Sequence, residues 1–298
     1  MNFPDVFQNS KNILFAGIGG GFDIFGAIPL WVSLRNSEKK FAFSNYNPSY
    51  VKFTEAPDIY PESQLNEFFK NNKFIIPFYV LPKIGVKPYV EMYNKIIKDN
   101  NIDTVVAIDG GVDSLMHGDE DGAGTILEDF ANLIALDKVN CSTKLLVCSG
   151  FGTELEEDVC HHHVLENMAT LVKNEGFLGS CSLIGSTEEF NLYKQACEWV
   201  WTQGRKSHIQ TKVISSVLGL WGDTNAYSDI EANVVGVKGV KNYLSPLMAI
   251  YWFFKLDKVA EENVLYNQLV NTVTKTDLLM AFRQTIDNKK RPKKLLPW

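Results

Sequence analysis

The chain has 298 residues, of which 45% are hydrophobic and 21% charged, enough to bury a sizeable core in one folded unit. A formal net charge of −6 argues against a general nucleic-acid binder, which presents a basic face. The five cysteines, Cys141, Cys148, Cys160, Cys181 and Cys197, are odd in number and form no C-x-x-C pair, which fits a reduced, cytoplasmic compartment.

Residues 13–34 are apolar, but a spanning helix there would bury Asp23 beside Pro29 and several glycines, so no membrane association is expected. Asn2, Pro4 and Asp5 stand where a signal peptide would carry basic residues. Residues 12–16 read as a first strand and 25–34 as a helix entered through glycines. A second strand follows at 40–44. The proline-containing stretch 47–63 reads as a loop and 67–71 as a short helix. Residues 74–80 read as a strand that Pro77 confines to a sheet edge. Val90, Tyr93, Ile96 and Ile97 share one face of a helix over 88–100. Residues 104–108 form a buried strand ending at Asp109, and 125–135 a helix that Thr125 and Glu128 start with a capping box. A second buried strand spans 144–148 and a helix 157–174.

This alternation implies βαβ units. They build a mostly parallel α/β sheet with helices on both faces and every strand's carboxyl end on one rim. Beyond residue 185, helices are expected at 186–203, capped by Ser186 and Glu189, at 207–220, and at 276–286 with Asp277 in its first turn. Residues 242–254 read as a strand leading into a buried helix. The expectation is one domain over 1–298, with a core at 1–185 and a mainly helical C-terminal addition at 186–298. The aromatic run Tyr251-Trp252-Phe253-Phe254 serves either the core or a homo-oligomer interface. The basic cluster Lys289, Lys290, Arg291, Lys293 and Lys294 reads as a solvated tail, with a polyanion contact as the alternative.

The loop Gly17-Ile18-Gly19-Gly20-Gly21-Phe22-Asp23 lies between a strand and an apolar helix. Glycines let the backbone turn sharply and approach a ligand, and a helix start offers free N–H groups. Phe22 breaks the dinucleotide pattern G-x-G-x-x-G, and no Gly-Lys-Ser/Thr of a P-loop is present. Gly17, Gly19 and Gly21 resemble the nucleoside loop of methyltransferases, although Asn45 stands where those carry an acidic residue. Asp23 caps the helix, holds a ribose or amine, or helps bind a cation.

A second constellation starts at the end of the 104–108 strand: Asp109-Gly110-Gly111-Val112-Asp113, then Asp119, Glu120 and Asp121, then Glu128 and Asp129. So many carboxylates repel one another unless they meet a cation, a donor or water. Oxygen ligands of this kind suit a hard divalent cation. Asp109, Asp113 and Asp119 are the candidate metal ligands, and Asp109, Asp113 and Asp23 the candidate catalytic groups. Gly19, Gly20, Gly21, Asp23, Asn45, Gly110 and Gly111 are candidate ligand-binding residues. Gly150, Gly152 and Glu154 join them from the small-residue loop that follows the 144–148 strand. Cys160-His161-His162-His163 lacks the i, i+4 spacing of metal-binding helices, so these histidines read as surface or partly packed groups. Glu157 and His161, four apart, are a candidate half-site. Asp223, Asn225, Ser245 and Pro246 are polar loop elements taken to close over the site.

Together, the triple-glycine turn with Asp23, the Asp109-Gly110-Gly111-x-Asp113 run, Gly118-Asp119-Glu120, and Thr125 with Glu128-Asp129 resemble the domain of unknown function 1152 family. The resemblance implies a Rossmann-like α/β fold and a shared rim site but no reaction. Phe22 and the His161–His163 run are local departures. Asp109-Gly110-Gly111 and Gly122-Ala123-Gly124 are also similar, more weakly, to the metal loop of D-glutamate cyclase-type lyases.

The functional expectation is a small-molecule enzyme that binds a polar, nucleotide-like or phosphorylated metabolite. Its chemistry would be that of a hydrolase or lyase, with Mg²⁺ or another divalent cation as the candidate cofactor. The alternatives are a non-catalytic ligand-binding or regulatory module and a methyltransferase-like nucleoside binder.

Overall fold

The computed structural model describes residues 5–47, 60–224, 242–286 and 291–296. Asn225, Lys289 and Lys290 lie outside these ranges.

In chain order the elements are β1 (Asn12–Gly17), α1 (Ala27–Leu34), β2 (Lys40–Asn47), α2 (Pro61–Asn71), β3 (Phe78–Pro82), α3 (Val86–Asn100) and β4 (Thr104–Asp109). Then come α4 (Ile126–Lys138), β5 (Thr143–Cys148), α5 (His161–Lys173), β6 (Phe177–Ser182), α6 (Glu188–Thr202) and α7 (His208–Val217). A small pair, β7 (Gly222–Thr224) and β8 (Asn242–Leu244), precedes β9 (Ile250–Lys255), α8 (Leu256–Glu262), α9 (Tyr266–Leu269) and α10 (Lys275–Ile286).

The main sheet has seven strands in the order β3-β2-β1-β4-β5-β9-β6. The pairs from β3 to β5 are parallel, whereas β9 is antiparallel to both of its neighbours. The strand order reverses between β1 and β4, and that is where a Rossmann-like sheet opens a crevice beyond its strand ends.

Side chains alternate across the sheet with a period of two. From β1, Leu14 and Ala16 enter an apolar layer with α3, α4, α5 and α8, while Ile13 and Phe15 enter the opposite layer with α1, α2 and α6. Every residue of β4 is buried, as a central parallel strand covered on both faces requires.

Several local expectations are corrected. The helix expected from residue 25 opens with a 3₁₀ turn, Asp23–Gly26, before α1. Helix α2 starts at Pro61, inside the stretch expected as loop, where a proline suits the first turn. The Thr125 capping box does not form: the Thr125 hydroxyl donates to Asp113 Oδ2 at 3.2 Å, and Glu128 pairs with Lys83. Thr187, not Ser186, caps α6 by accepting from Phe190 N, while Glu189 accepts from the Ser33 hydroxyl. Of the stretch 242–254, expected as a strand leading into a buried helix, residues 250–255 form β9, an interior strand of the main sheet, and the helix α8 follows from Leu256. Tyr251, Phe253 and Phe254 are accordingly core residues. Strand β3 does lie at the sheet edge, beginning after Pro77. No helix among the described residues is long and apolar enough to cross a membrane.

Candidate functional site

The loops after β1, β4 and β5 are tied together at the reversal of strand order. Ile18 N donates to Ile108 O at 3.1 Å and Ser149 N to Asp109 O at 3.2 Å. Asn132, on α4, donates its side-chain amide to Ile18 O at 2.8 Å. A cavity of about 390 Å³ opens between these loops, and Gly19 to Asp23, Asp109, Gly111, Asp113, Asp129 and Glu154 all contribute to its lining.

The glycines have specific reasons to be there. A Cβ on Gly17 would stand 2.0 Å from Asn45 Oδ1, and Gly20 turns the chain at φ +94° beneath Tyr46. A Cβ on Gly19 would meet Asp23 and Asp129 oxygens at 2.6 and 2.7 Å, and one on Gly111 would lie 2.2 Å from the Glu154 carboxyl carbon. These two glycines therefore vacate space for carboxylates. Gly111→Ala is expected to lower stability by roughly 1–3 kcal/mol, as overpacking does, and urea unfolding checks it.

The carboxylates hold both the fold and the cavity surface. Asp23 Oδ2 accepts from Gly19 N at 2.5 Å. Asp109 accepts from Gly111 N at 2.7 Å and from the N–H and hydroxyl of Ser114. Asp113 accepts from Thr125 N at 2.9 Å, and Glu154 from Val112 N at 2.6 Å. Asp129 Oδ1, by contrast, is buried with no hydrogen-bond partner. Oxygens of Asp23, Asp109 and Asp129 lie within 4.8 Å of one another.

Burial raises the pKa of Asp23, Asp109, Asp113, Asp129 and Glu154, and for all but Asp109 neighbouring carboxylates raise it further. For Asp109 the Ser114 and Gly111 donors offset part of the rise. These groups cannot all ionise side by side without protons or a cation between them.

The rest of the lining differs in character. Arg205, Lys206 and His208 contribute from the start of α7, whose cap Ser207 accepts from Gln210 N at 3.3 Å. His208 Nε2 lies 3.2 Å from Glu157 Oε1. Glu62, in the first turn of α2, is buried and accepts from Asn47, and burial pushes its pKa up to about 7 although Asn47 and Arg205 pull against that.

The structure therefore brings together Gly19, Gly20, Gly21, Asp23, Asp109, Gly111, Asp113 and Glu154 around one cavity. Asn45 is buried below the loop and donates its amide to Gly21 O at 3.0 Å, which braces the turn, and it is not among the residues that line the cavity. Gly110, Gly150 and Gly152 shape the loops without lining the cavity. Asp119 is elsewhere and pairs with Arg291 at 2.9 Å. Arg291, Lys293 and Lys294 are thus no solvated tail: they pair with Asp119, Glu120, Asp158 and Glu166. Glu157 faces His208, not His161, which packs edge-on against Phe151. Asp223, Ser245 and Pro246 do not line the cavity.

Asp129, Glu62, Arg205, Lys206 and His208 escaped the sequence reading as site residues, and Glu157 entered it only as a half-site with His161. Only Asp129 carried a signal, as the last member of the acidic run.

Residues 75–286 match the family described as "Protein of unknown function (DUF1152)". The match takes in Asp109, Asp113, Asp129 and Glu154 and begins after the Gly-rich loop. No curated protein matches the chain in sequence. Among solved structures, the N,N'-diacetylchitobiose deacetylase from Pyrococcus horikoshii, complexed with its inhibitor MPG, is similar at 11% identity and a TM-score of 0.35. That likeness covers 68% of this chain and 74% of the other.

Proposed function

We propose, for a chain that belongs to the family described as a protein of unknown function (DUF1152), that it is a divalent-cation-assisted hydrolase or lyase. Its substrate is a small polar metabolite, nucleotide-like or phosphorylated. One observation carries the reading: Asp23, Asp109 and Asp129 present oxygens within 4.8 Å of one another on an open cavity.

Carboxylate oxygens suit Mg²⁺ or Mn²⁺, and Asp129 Oδ1, buried without a donor, is the acceptor most in need of a cation. A cation bound there would polarise a substrate oxygen or make a water more acidic. Asp109 and Asp23 are held in place by their backbone N–H donors, so their oxygens are oriented in advance. Arg205 and Lys206 supply positive charge to an anionic substrate group. Glu62, with a pKa of about 7, is matched to proton transfer at neutral pH.

Calorimetric titration with Mg²⁺ and Mn²⁺ tests the reading. Wild-type protein should bind an ion, and Asp129→Asn should weaken that binding by more than about tenfold, since even outer-shell changes at metal sites cost 10–100-fold. Wild-type protein that binds neither ion would remove the basis for the proposal.

A further inference from the structure

Away from the cavity, we propose that His162, His163 and Glu166 on α5 form a second, transition-metal site of the Zn²⁺ class. His163 is 0% exposed, yet neither Nδ1 nor Nε2 has a hydrogen-bond partner. His162 Nδ1 is likewise buried and unpartnered. Buried polar atoms in native proteins almost always find a partner, so a wholly buried imidazole with both nitrogens idle calls for one.

The geometry supplies it. One ligand atom from each of His162, His163 and Glu166 lies within 4.8 Å of the other two. Successive helix positions diverge by about 100°. The two rings nevertheless stand edge to face, with centroids 5.9 Å apart and an interplanar angle of 89°. Glu166 returns one turn later, four residues from His162 and three from His163, to the same side of the helix. His161 is not part of the set, being packed on Phe151.

Two imidazoles and one carboxylate favour Zn²⁺, Co²⁺ or Ni²⁺ over Mg²⁺. Glu166 also pairs with Arg291 through Oε2 at 3.0 Å and with Lys294 through Oε1 at 3.7 Å, contacts that fix the orientation of its carboxylate. The positive charge of Arg291 is met by Asp119 and Glu120. None of the three ligands lines the acidic cavity. Three protein ligands on α5 would leave the fourth position of the ion to water.

The test uses the full-length chain carrying Asp129→Asn, so that the cavity is not counted, and titrates Zn²⁺ alone against a chromophoric chelator. An equivalent of Zn²⁺ should bind. His162→Gln and Glu166→Gln should each weaken it by more than about tenfold. Co²⁺ should give the intense visible bands of a four-coordinate ion, and these should vanish in both variants. His163→Gln should abolish binding if circular dichroism shows it folded. If it is unfolded, the other two variants decide. No bound Zn²⁺, or equal affinity in the His162 and Glu166 variants, overturns the proposal.

Discussion

Freed of divalent cations, the protein should melt at a higher temperature at about pH 5 than at about pH 8, the reverse of the usual acid sensitivity. The cause is the cavity. Asp23, Asp109, Asp113, Asp129 and Glu154 all have raised pKa values, burial being the largest cause for each. A carboxyl with a raised folded-state pKa holds a proton that the unfolded chain has already released. Its contribution is full below the unfolded value of about 4 and is lost as the pH rises through the folded value. Added Mg²⁺ or Mn²⁺ should restore the neutral-pH stability by binding only the folded chain. Asp129→Asn should raise the neutral-pH melting temperature of the cation-free protein, by about 2–4 °C for each kcal/mol of relieved repulsion. It should also blunt the response to the cation. Scanning calorimetry across pH, with chelator and with cation, makes the measurement. A cation-free stability that climbs from mild acid to neutral pH would show that the cavity carboxylates do not govern it.

Much of this site was legible because its parts end short buried strands. Asp109 closes a run, Thr104 to Ile108, that has no other reading than a covered strand, and Gly17 closes another. Parallel strands then put both ends on one rim. Asp129 was harder to read, since an acid in the first turn of a helix already has a reason in the helix dipole. Glu62, Arg205 and His208 come from the starts of α2 and α7, which nothing local links to β1 or β4. Strand β6 went unread because Gly179-Ser180-Cys181-Ser182 is small and half-exposed, the pattern of a sheet edge and not of a buried strand. The place of β9 depends on pairing with β5 across about a hundred residues of chain, which periodicity does not report. Asp119 was misplaced for a related reason. A count of acids along the chain treats Asp109 to Asp129 as one cluster, whereas the fold delivers Arg291 to Asp119 and Glu120 and leaves Asp109, Asp113 and Asp129 on the cavity.

That division yields the second large effect. Arg291→Ala should destabilise the protein by roughly 2–4 kcal/mol at neutral pH, near the lower end for a broken buried ion pair because the arginine is itself partly exposed. Its guanidinium meets Asp119 at 2.9 Å, Glu120 at 2.6 Å and Glu166 at 3.0 Å. Glu120 decides the outcome, since its side chain is 0% exposed while the other two acids are partly solvated and screened. Burial pushes the Glu120 pKa up, but donors from His117 N, Asn167 and Gly118 N, together with Arg291, outweigh it and hold the carboxyl below its usual range. The sign is therefore opposite to that of the cavity. Stability from Glu120 is present above the unfolded pKa of about 4.3 and is lost as the pH falls through the lower folded value. The loss caused by Arg291→Ala should shrink in acid, where Glu120 takes up a proton and no longer needs the cation. Urea unfolding of both proteins from about pH 7 down to about pH 3 measures the difference. A loss of the same size at every pH would mean that Arg291 acts through the packing of its stem, and that the acidic loop does not depend on its charge.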